Sequence, residues 1–194
     1  MIKKHFINAQ SLQQDAFKLA VNIMESGYRP TFIVGIWRGG AAIAATVQEL
    51  LSYCGCPTDH IAIRTTSYTA IDTRSKEVGV QGLEYLLNNL SSDDRLLLVD
   101  DVHETGLSLQ QVIQQISTQH PTKVPQEVRT ATLYYKPTKN QVDFMPDYYL
   151  HESDCWLVFP HELAGLSEQE ITLNKPDIAA IKDWLRVNRD NDQE

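Results

Sequence analysis

The amino-acid sequence predicts a single α/β domain with a mainly parallel β-sheet flanked by helices. Strand-like apolar runs alternate along the chain with segments whose apolar residues recur at helical spacing, which is typical of this class. No internal repeat or linker divides the 194 residues, and a hydrophobic content of 42% is ordinary for one soluble domain. Because ligands of such sheets bind beyond the carboxyl ends of the strands, the functional site is expected at that edge.

The first half of the chain alternates helix, strand, helix and strand. A helix is predicted over 11–27, because the segment opens with a Ser-x-x-Gln capping box, has apolar residues at helical spacing and reaches a glycine. The apolar run 31–36 follows a proline and predicts a buried strand. A Gly-Gly pair opens an Ala-rich helix over 39–51, and a second strand is expected at 59–64. Residues 65–79 are polar without a clear period, so no regular element is predicted there.

The second half continues the alternation. A helix is expected at about 81–90. The strand 95–100 contains four consecutive apolar residues, and a helix over 107–118 follows it. Enrichment in Val, Thr and Tyr predicts a strand over 127–136. The remaining predicted elements are strands at 148–151 and 156–159 and a helix near 176–187.

Charge and composition exclude several classes of function. The chain carries 25 acidic against 17 basic residues and has no basic run, which argues against nucleic acid as a partner. No apolar stretch of about 18 residues is present, so no membrane span is predicted. The start, MIKKHFINAQ, lacks the apolar core of a secretory signal, and three cysteines do not suit a disulfide scaffold. A cytoplasmic protein is therefore expected.

The segment 96–108, with the sequence LLLVDDVHETGLS, has the strongest chemical signal. An apolar strand ends in two adjacent carboxylates, and a Thr-Gly-x-Ser turn then opens a helix. A helix N-terminus offers unpaired amides and a positive dipole end, to which Thr105 and Ser108 add hydroxyl donors. Gly106 permits a close approach of the backbone. The turn therefore suits a phosphate monoester.

The adjacent carboxylates of Asp100 and Asp101 have a different use. They repel a phosphate, but they can accept hydrogen bonds from a sugar diol or face a magnesium ion. Two other interpretations of the segment exist. It fits a simple capped strand-turn-helix, and its apolar strand ending in Asp-Asp resembles the second motif of a P-loop ATPase. The ATPase interpretation fails, because no Gly-x-x-x-x-Gly-Lys-Ser/Thr motif occurs upstream.

This segment resembles the phosphoribosyl-diphosphate signature of type I phosphoribosyltransferases, in which four apolar residues precede two acids, two variable residues and Asp-Thr-Gly-x-Thr. The resemblance implies the fold of that family, and it places the ribose hydroxyls and a magnesium ion on Asp100 and Asp101. The 5-phosphate of phosphoribosyl diphosphate (PRPP) would then lie in a loop, called here the phosphate loop, formed by Glu104, Thr105, Gly106, Leu107 and Ser108.

Glu104 and Ser108 depart from the family pattern, which has Asp and Thr at these positions. Serine keeps the hydroxyl group, whereas glutamate is one methylene longer and changes the reach of its carboxylate. In purine-specific members this acid is thought to exchange a proton with the imidazole part of the base. The resemblance therefore makes Glu104 the candidate general base, with a longer reach than the usual aspartate.

Trp37, Arg38, Gly39 and Gly40 resemble the loop that holds pyrophosphate in the 6-oxopurine branch, which includes bacterial xanthine-guanine and hypoxanthine-guanine phosphoribosyltransferases. In that branch the arginine offers a planar fork to phosphate oxygens, and the glycines let amides turn inward. The resemblance implies a catalytic role for Arg38 and a cis peptide bond between Trp37 and Arg38. Taken alone, the segment also fits a simple glycine turn before a helix.

Ser67 and Tyr68, near the start of the polar stretch 65–79, resemble the beginning of the catalytic lid in this branch. A long polar segment inside a compact domain is unusual unless it moves. A lid would exclude water from the electron-deficient sugar centre. A plain surface loop is the alternative interpretation.

Four residues in the second half of the resemblance concern the base and the metal. Lys136 ends a strand and, as in purine members, would donate to the 6-oxo group, which disfavours adenine. Trp156 would stack on the base, main-chain groups around Leu157 would read its edge, and Glu162 would approach the metal. Lys136 can instead be a solvated strand-end lysine, and Trp156 a core residue.

The resemblance implies purine salvage, in which phosphoribose passes from PRPP to hypoxanthine, guanine or xanthine with Mg²⁺ and gives a nucleoside monophosphate and pyrophosphate. It also implies a homodimer or homotetramer and one domain over 1–194, with a core at about 28–136 and a small hood from 1–27 and 137–194. Two alternatives stay open, namely a regulator that senses PRPP or a nucleotide on the same fold, and a pyrimidine phosphoribosyltransferase.

Overall fold

The chain divides into two compact units. The sheet unit is Leu12–Asp154, and the terminal unit joins Met1–Ser11 to Cys155–Glu194. The predicted core and hood have other boundaries, and that division stays a prediction. The computed structural model describes residues 3–69, 76–119, 121–179, 181 and 184. Within these residues, no helix is both long and apolar enough to cross a bilayer.

The secondary structure alternates strands and helices as the sequence predicts. In chain order the strands are β1 (Lys4–Phe6), β2 (Phe32–Trp37), β3 (Asp59–Thr69), β4 (Lys76–Gln81), β5 (Arg95–His103), β6 (Glu127–Tyr135), β7 (His151–Glu152) and β8 (Trp156–Val158). The helices are α1 (Ala9–Glu25), α2 (Gly39–Tyr53), α3 (Leu83–Asn89), α4 (Leu107–Gln119), α5 (Glu168–Asn174) and α6 (Pro176–Ala179), with a 3₁₀ turn at Pro137–Lys139.

The sheet unit is built around a six-stranded sheet with the strand order β4-β3-β2-β5-β6-β7. All neighbouring strands are parallel except β3 and β4, which pair antiparallel. The predicted α/β class with a mainly parallel sheet is therefore confirmed.

The two central strands, β2 and β5, are apolar over most of their length because both faces of the sheet are covered. Residues 96–99 of β5 are fully buried, and Phe32 and Val34 of β2 are at most 2% exposed. Phe32, Val34, Leu96 and Leu98 belong to one core cluster with Leu109 and Val112 of α4. This packing fixes the carboxyl ends of β2 and β5 at the same edge of the sheet.

The terminal unit contains a two-stranded parallel sheet, in which β1 pairs with β8 and Lys4 lies opposite Trp156. The helix α5 begins with a capping box, in which Ser167 and Glu170 satisfy each other's backbone amides. Neither β1 nor α5 is predicted from the sequence, because elements of three and seven residues are too short for a period to show.

Two predicted boundaries in the sheet unit are corrected by the structure. The strand β3 runs to Thr69 rather than to 64, and β5 runs to His103 rather than to 100. The strand β4 then occupies part of a stretch for which no element is predicted. Since β4 lies at the edge of the sheet, it does not need the apolar pattern of a central strand.

Two predictions near the end of the chain are also revised. The strand expected at 148–151 reduces to the two-residue β7 and an isolated bridge between Ala131 and Tyr148. The helix expected near 176–187 is helical over Pro176–Ala179, and most of its remainder lies outside the described residues.

Candidate active site

The carboxyl ends of β2 and β5 lie side by side, and a helix follows each of them. The two strands pair in parallel, with Gly35 opposite Val99. The helices α2 and α4 begin within a few residues of these strand ends. The structure therefore gathers the candidate segments 37–40 and 100–108 at one edge of the sheet.

Gly39 and Gly40, called here the glycine pair, lie where α2 meets the end of β5. A Cβ atom on Gly40 would lie 2.4 Å from the Val99 carbonyl oxygen and 2.7 Å from the Asp100 Cα. A Cβ atom on Gly39 would lie 1.8 Å from Asp101 Oδ2. These distances leave no room for a side chain, so the glycine pair is what lets α2 approach the two aspartates.

The residues before the glycine pair are exposed. The peptide bond between Trp37 and Arg38 is cis, which confirms that expectation. The Trp37 side chain is 57% exposed, and Arg38 is exposed as well. No side chain caps the start of α2. Since the first amides of a helix have no partner within it, Arg38 and this helix start can both meet an anion.

Asp100 and Asp101, called here the acidic pair, follow the apolar run of β5. The Asp101 amide donates to Asp100 Oδ1 at 2.9 Å. Burial and the charge of the neighbouring Asp101 carboxylate raise the pKa of Asp100 well above its ordinary value. Crowded carboxylates of this kind are stabilised by a hydroxyl donor or by a cation.

The acidic pair fits a magnesium ion that a substrate helps to hold. Mg²⁺ prefers oxygen ligands, and it usually takes one or two carboxylates while substrate phosphates and water complete its coordination. In the part of the chain that the structure describes, no group of three or more His, Cys, Asp or Glu residues is arranged to hold a metal. The two carboxylates of the acidic pair match the number that Mg²⁺ takes from a protein when substrate supplies other ligands.

The phosphate loop turns sharply from β5 into α4. Gly106 has a φ of +79°, in the left-handed region that favours glycine. Thr105 Oγ1 accepts a hydrogen bond from the Leu107 amide at 3.4 Å. Ser108 Oγ accepts one from the Thr65 hydroxyl, also at 3.4 Å. Both hydroxyl groups thus lie at the N-terminus of α4.

The buried side chain of His103 packs against the phosphate loop. A Cβ atom on Gly106 would lie 2.7 Å from His103 Nε2, and that nitrogen is 3.1 Å from Asn140 Oδ1. The amide group of Asn140 donates to the Phe144 carbonyl, so its Oδ1 is the acceptor for the ring. Burial lowers the pKa of His103 and keeps the ring neutral, with Nε2 as the donor. His103 is therefore a structural residue.

The Asn140→Ala variant is expected to lower the free energy of unfolding by about 1–3 kcal/mol, because it leaves the buried Nε2–H of His103 without an acceptor. Urea unfolding measures this change. Asn89→Ala is the control, since Asn89 is exposed and donates only to the Tyr85 carbonyl of its own helix. Its effect should stay within about 0.5 kcal/mol. Equal losses in the two variants would contradict a specific role for Asn140.

Glu104 is held between two lysines. Its Oε2 accepts a hydrogen bond from Lys136 Nζ at 3.0 Å, and its Oε1 accepts one from Lys139 Nζ at 2.6 Å. The Lys136 side chain is 4% exposed, so the interpretation as a solvated strand-end lysine is wrong. The Lys136 amide also donates to the His103 carbonyl at 2.9 Å, which fixes the end of β6 beside β5.

The two lysines control the charge of Glu104. Burial by itself would raise the pKa of Glu104, but the hydrogen bonds and charges of Lys139 and Lys136 outweigh burial and lower that pKa. Glu104 is therefore ionised at neutral pH. It can accept a proton, but it is a weaker base than an isolated glutamate.

The two residues predicted to begin a lid lie in β3. The backbone of Ser67 pairs with Val78, and that of Tyr68 with Glu77, in the antiparallel extension formed by β3 and β4. The predicted lid spans about 65–79; its residues 76–79 belong to β4, and 70–75 lie outside the described residues. The lid itself stays a prediction.

Three candidate residues belong to the terminal unit. Trp156 is 50% exposed, so the interpretation as a core residue is wrong, and the Lys4 ammonium lies 5.8 Å from its ring centroid. Leu157 is buried in β8. Glu162 Oε2 accepts a hydrogen bond from the Phe159 amide at 3.0 Å. Trp156 therefore presents an aromatic face to solvent.

The chain matches the family model of the phosphoribosyl transferase domain over residues 6–165. The match includes the glycine pair, the acidic pair and the phosphate loop. The chain belongs to this family. A comparison of the phosphoribosyltransferase with curated proteins finds no significant match.

Solved structures agree with this assignment, and the predicted family and fold are confirmed. A purine phosphoribosyltransferase from Pyrococcus horikoshii Ot3 is 27% identical, with a TM-score of 0.69 over 85% of this chain and 98% of that chain. A xanthine-guanine-hypoxanthine phosphoribosyltransferase from Helicobacter pylori is 19% identical, with a TM-score of 0.63 over 80% and 92%. A hypothetical protein from Neisseria gonorrhoeae with bound ppGpp is 17% identical, with a TM-score of 0.68 over 91% and 98%.

Sequence reasoning missed two lysines of this phosphoribosyltransferase. Lys139 contacts Glu104 because the 3₁₀ turn at Pro137–Lys139 brings Lys136 and Lys139, which are three positions apart, to the same side. The sequence signal for this contact was the pattern Lys-Pro-Thr-Lys. Lys175 is 6% exposed and donates to the carbonyls of Phe159 and Pro160, within the terminal unit. Burial lowers the pKa of Lys175. Nothing local in the sequence marks Lys175.

Proposed function

We propose that this phosphoribosyltransferase transfers phosphoribose from PRPP to a 6-oxopurine and thereby serves purine salvage. The observation that carries the proposal is the contact of Lys136 with Glu104, which sets a cation and a carboxylate 3.0 Å apart beside the phosphate loop. A 6-oxopurine has a carbonyl acceptor close to an imidazole N–H donor. The carbonyl can accept from the lysine of this pair while the N–H donates to its carboxylate. The P. horikoshii protein, described as a purine phosphoribosyltransferase, supports the same assignment.

The base is recognised by charge and by stacking. Lys136 donates to the 6-oxo oxygen, while Lys139 continues to hold Glu104. Glu104 accepts the proton that the imidazole ring releases as the base bonds to the ribose carbon. The 6-amino group of adenine would face the Lys136 cation, which disfavours adenine. For the terminal unit, taken by itself, we expect Trp156 to stack on a base and main-chain groups around Leu157 to read a base edge.

PRPP is bound by both segments at the edge of the sheet. Asp100 and Asp101 accept hydrogen bonds from the ribose hydroxyls. The phosphate loop binds the 5-phosphate through its amides and through the hydroxyl groups of Thr105 and Ser108. Arg38 and the amides of the glycine pair stabilise the pyrophosphate as it leaves.

Magnesium and a lid complete the proposed site. The acidic pair of the sheet unit would hold Mg²⁺, which supplies positive charge to the leaving pyrophosphate. A lid that begins at Ser67 and Tyr68 would keep water from the electron-deficient sugar carbon. We expect the protein to act in the cytoplasm as one domain per subunit of a homodimer or homotetramer.

A spectrophotometric assay with PRPP, Mg²⁺ and each of hypoxanthine, guanine, xanthine, adenine and uracil tests the proposal. Turnover of at least one 6-oxopurine is expected, with adenine and uracil inert. Turnover of uracil alone would replace the proposal with a pyrimidine phosphoribosyltransferase. Glu104→Asp, which restores the usual acid of the family, should retain turnover, whereas Glu104→Ala should lose it.

A regulator that senses PRPP or a nucleotide is the second candidate. The lowered pKa of Glu104 favours it, since a weaker base suits binding better than proton transfer. The N. gonorrhoeae protein of the same fold is described with bound ppGpp. Saturable binding of PRPP in calorimetry, without turnover of any of the five bases, would establish this candidate in place of the enzyme.

A further inference from the structure

A second cleft lies within the sheet unit, at the amino-terminal edge of the sheet. It has a volume of about 440 Å³, which is within the range of small-molecule sites. Asp100 lies five positions after Arg95 in β5, so at ~3.3 Å per residue this cleft is roughly 17 Å from the acidic pair along the strand. The lining includes Gly27, Tyr28, Arg29, Arg95, Glu127 and Arg129.

The cleft is cationic in a chain whose net charge is −8, so its charge does not follow from composition. Three arginines line it against one glutamate. Glu127 Oε1 lies 2.5 Å from Arg129 Nη2 and accepts from Arg129 Nε at 2.6 Å, so these two charges neutralise each other. The charges of Arg29 and Arg95 have no such partner among the lining residues.

The floor of the cleft is rigid. Tyr28 is 4% exposed, and its hydroxyl donates to the Leu96 carbonyl at 2.9 Å. The Arg129 guanidinium lies 4.5 Å from the centroid of the Tyr28 ring and 5.7 Å from that of Tyr148, and it donates to the Tyr148 hydroxyl. The Tyr28 ring and the Arg129 guanidinium are therefore packed together at the floor of the cleft, whereas Arg29 is exposed.

Backbone carbonyls position the side chains of Arg29 and Arg95, and some guanidinium N–H donors of both remain unused. Arg95 Nε donates to the Arg29 carbonyl at 2.5 Å, and Arg29 Nη1 donates to the carbonyls of Met24 and Tyr28. The nearby carboxylate of Asp94 accepts from the Thr31 hydroxyl and from Ser91 instead. Within the described residues, the two terminal nitrogens of Arg95 have no protein acceptor.

We propose that this arginine cleft binds a small ligand with a phosphomonoester or diphosphate group. Arg29 and Arg95 line one cavity and keep unused N–H donors, and guanidinium groups of this kind bind the oxygens of a phosphate dianion. The ligand is expected to be anionic, because the glutamate that lines the cleft pairs with Arg129 and forms no ion pair with Arg29 or Arg95. This site is separate from the proposed PRPP site, and the proposal does not depend on the proposed activity.

Nuclear magnetic resonance of the ¹⁵N-labelled chain tests the cleft with inorganic pyrophosphate, inorganic phosphate and ribose 5-phosphate as probes, at constant ionic strength. Saturable shifts are expected for the Arg95 Nε–H and for the Gly27 amide. Arg95→Gln should weaken the binding reported by Gly27 by about tenfold, because hydrogen bonds to charged groups are among the stronger ones. Arg29→Gln provides a second, independent variant.

Two controls separate this site from the active site and from general charge effects. The Gly106 amide reports the phosphate loop, and its response to the probes should be unchanged in Arg95→Gln. Lys123→Gln removes a positive charge from an exposed lysine outside the cleft and should leave the Gly27 response unchanged. Shifts confined to Gly106, equal responses to citrate and pyrophosphate, or binding unaffected in both arginine variants would each overturn the proposal.

Discussion

The Gly40→Ala variant is expected to lose both stability and phosphoribosyl transfer. Its Cβ atom would lie 2.4 Å from the Val99 carbonyl oxygen and 2.7 Å from the Asp100 Cα, and neither backbone atom can rotate away. Overpacking of this kind costs about 1–3 kcal/mol of unfolding free energy. Because α2 must then move away from β5, kcat/KM for PRPP should fall by roughly 100-fold, the usual cost of a 1 Å misplacement. Urea unfolding and steady-state kinetics measure the two effects.

The neighbouring Gly39→Ala variant separates these effects. Its Cβ atom would meet Asp101 Oδ2 at 1.8 Å and the Asp101 Cβ at 2.8 Å, and rotation of the carboxylate relieves only the first contact. We expect a smaller loss of stability than in Gly40→Ala, with a similar loss of activity. Ala42→Ser is the matched control, because it adds one atom at an exposed position on the same helix. Full activity in Gly40→Ala would show that α2 need not approach β5 for transfer.

The parts of the site that could be predicted are those that are local in sequence. The segment 96–108 contains its strand, its acids, its turn and its helix start within thirteen residues, so each type of residue constrains its neighbours. The same holds for 37–40. The central strands were predictable for a similar reason, because a strand buried on both faces is a short apolar run.

What could not be predicted depends on residues that are distant in sequence. Lys136 and Lys139 reach Glu104 across 32 and 35 positions, and no pattern around Glu104 indicates that either lysine contacts it. The glycine pair also has a contact that depends on residues distant in sequence. Its use for amide contacts with an anion was expected from the resemblance, whereas its close approach to Asp101 requires the pairing of β2 with β5.

The Lys136→Met variant is expected to lower kcat/KM for 6-oxopurines by roughly 10²–10³-fold, with a much smaller effect on the KM for PRPP. Methionine fills the volume of the buried lysine but removes the cation that we propose donates to the 6-oxo oxygen. Steady-state kinetics with hypoxanthine and guanine measure this loss. Lys139→Met is the control for the loss of a charge alone, since Lys139 is 47% exposed. This variant should lower kcat/KM by about tenfold or less.

The pH dependence of these variants tests the pairing itself. In the folded protein the pKa of Glu104 is lowered from an ordinary value of 4.5. Glu104 therefore contributes stability that is present above that ordinary pKa and is lost as pH falls through the lowered one. In Lys136→Met the pKa of Glu104 should rise, so the acid limb of kcat/KM should move to higher pH than in the unmodified protein. Its stability deficit should be largest near pH 7 and shrink below about pH 4.

A structural role of Lys136 alone would give a different pattern. It would lower stability and the rates with all bases together, and it would leave the position of the acid limb unchanged. A role of Lys136 through Glu104 moves the acid limb, and a role at the 6-oxo group reduces the preference for hypoxanthine over adenine. If Lys136→Met shows neither the shifted limb nor the reduced preference, the pair of Lys136 and Glu104 does not recognise the base, and the proposal of 6-oxopurine transfer loses the observation that carries it.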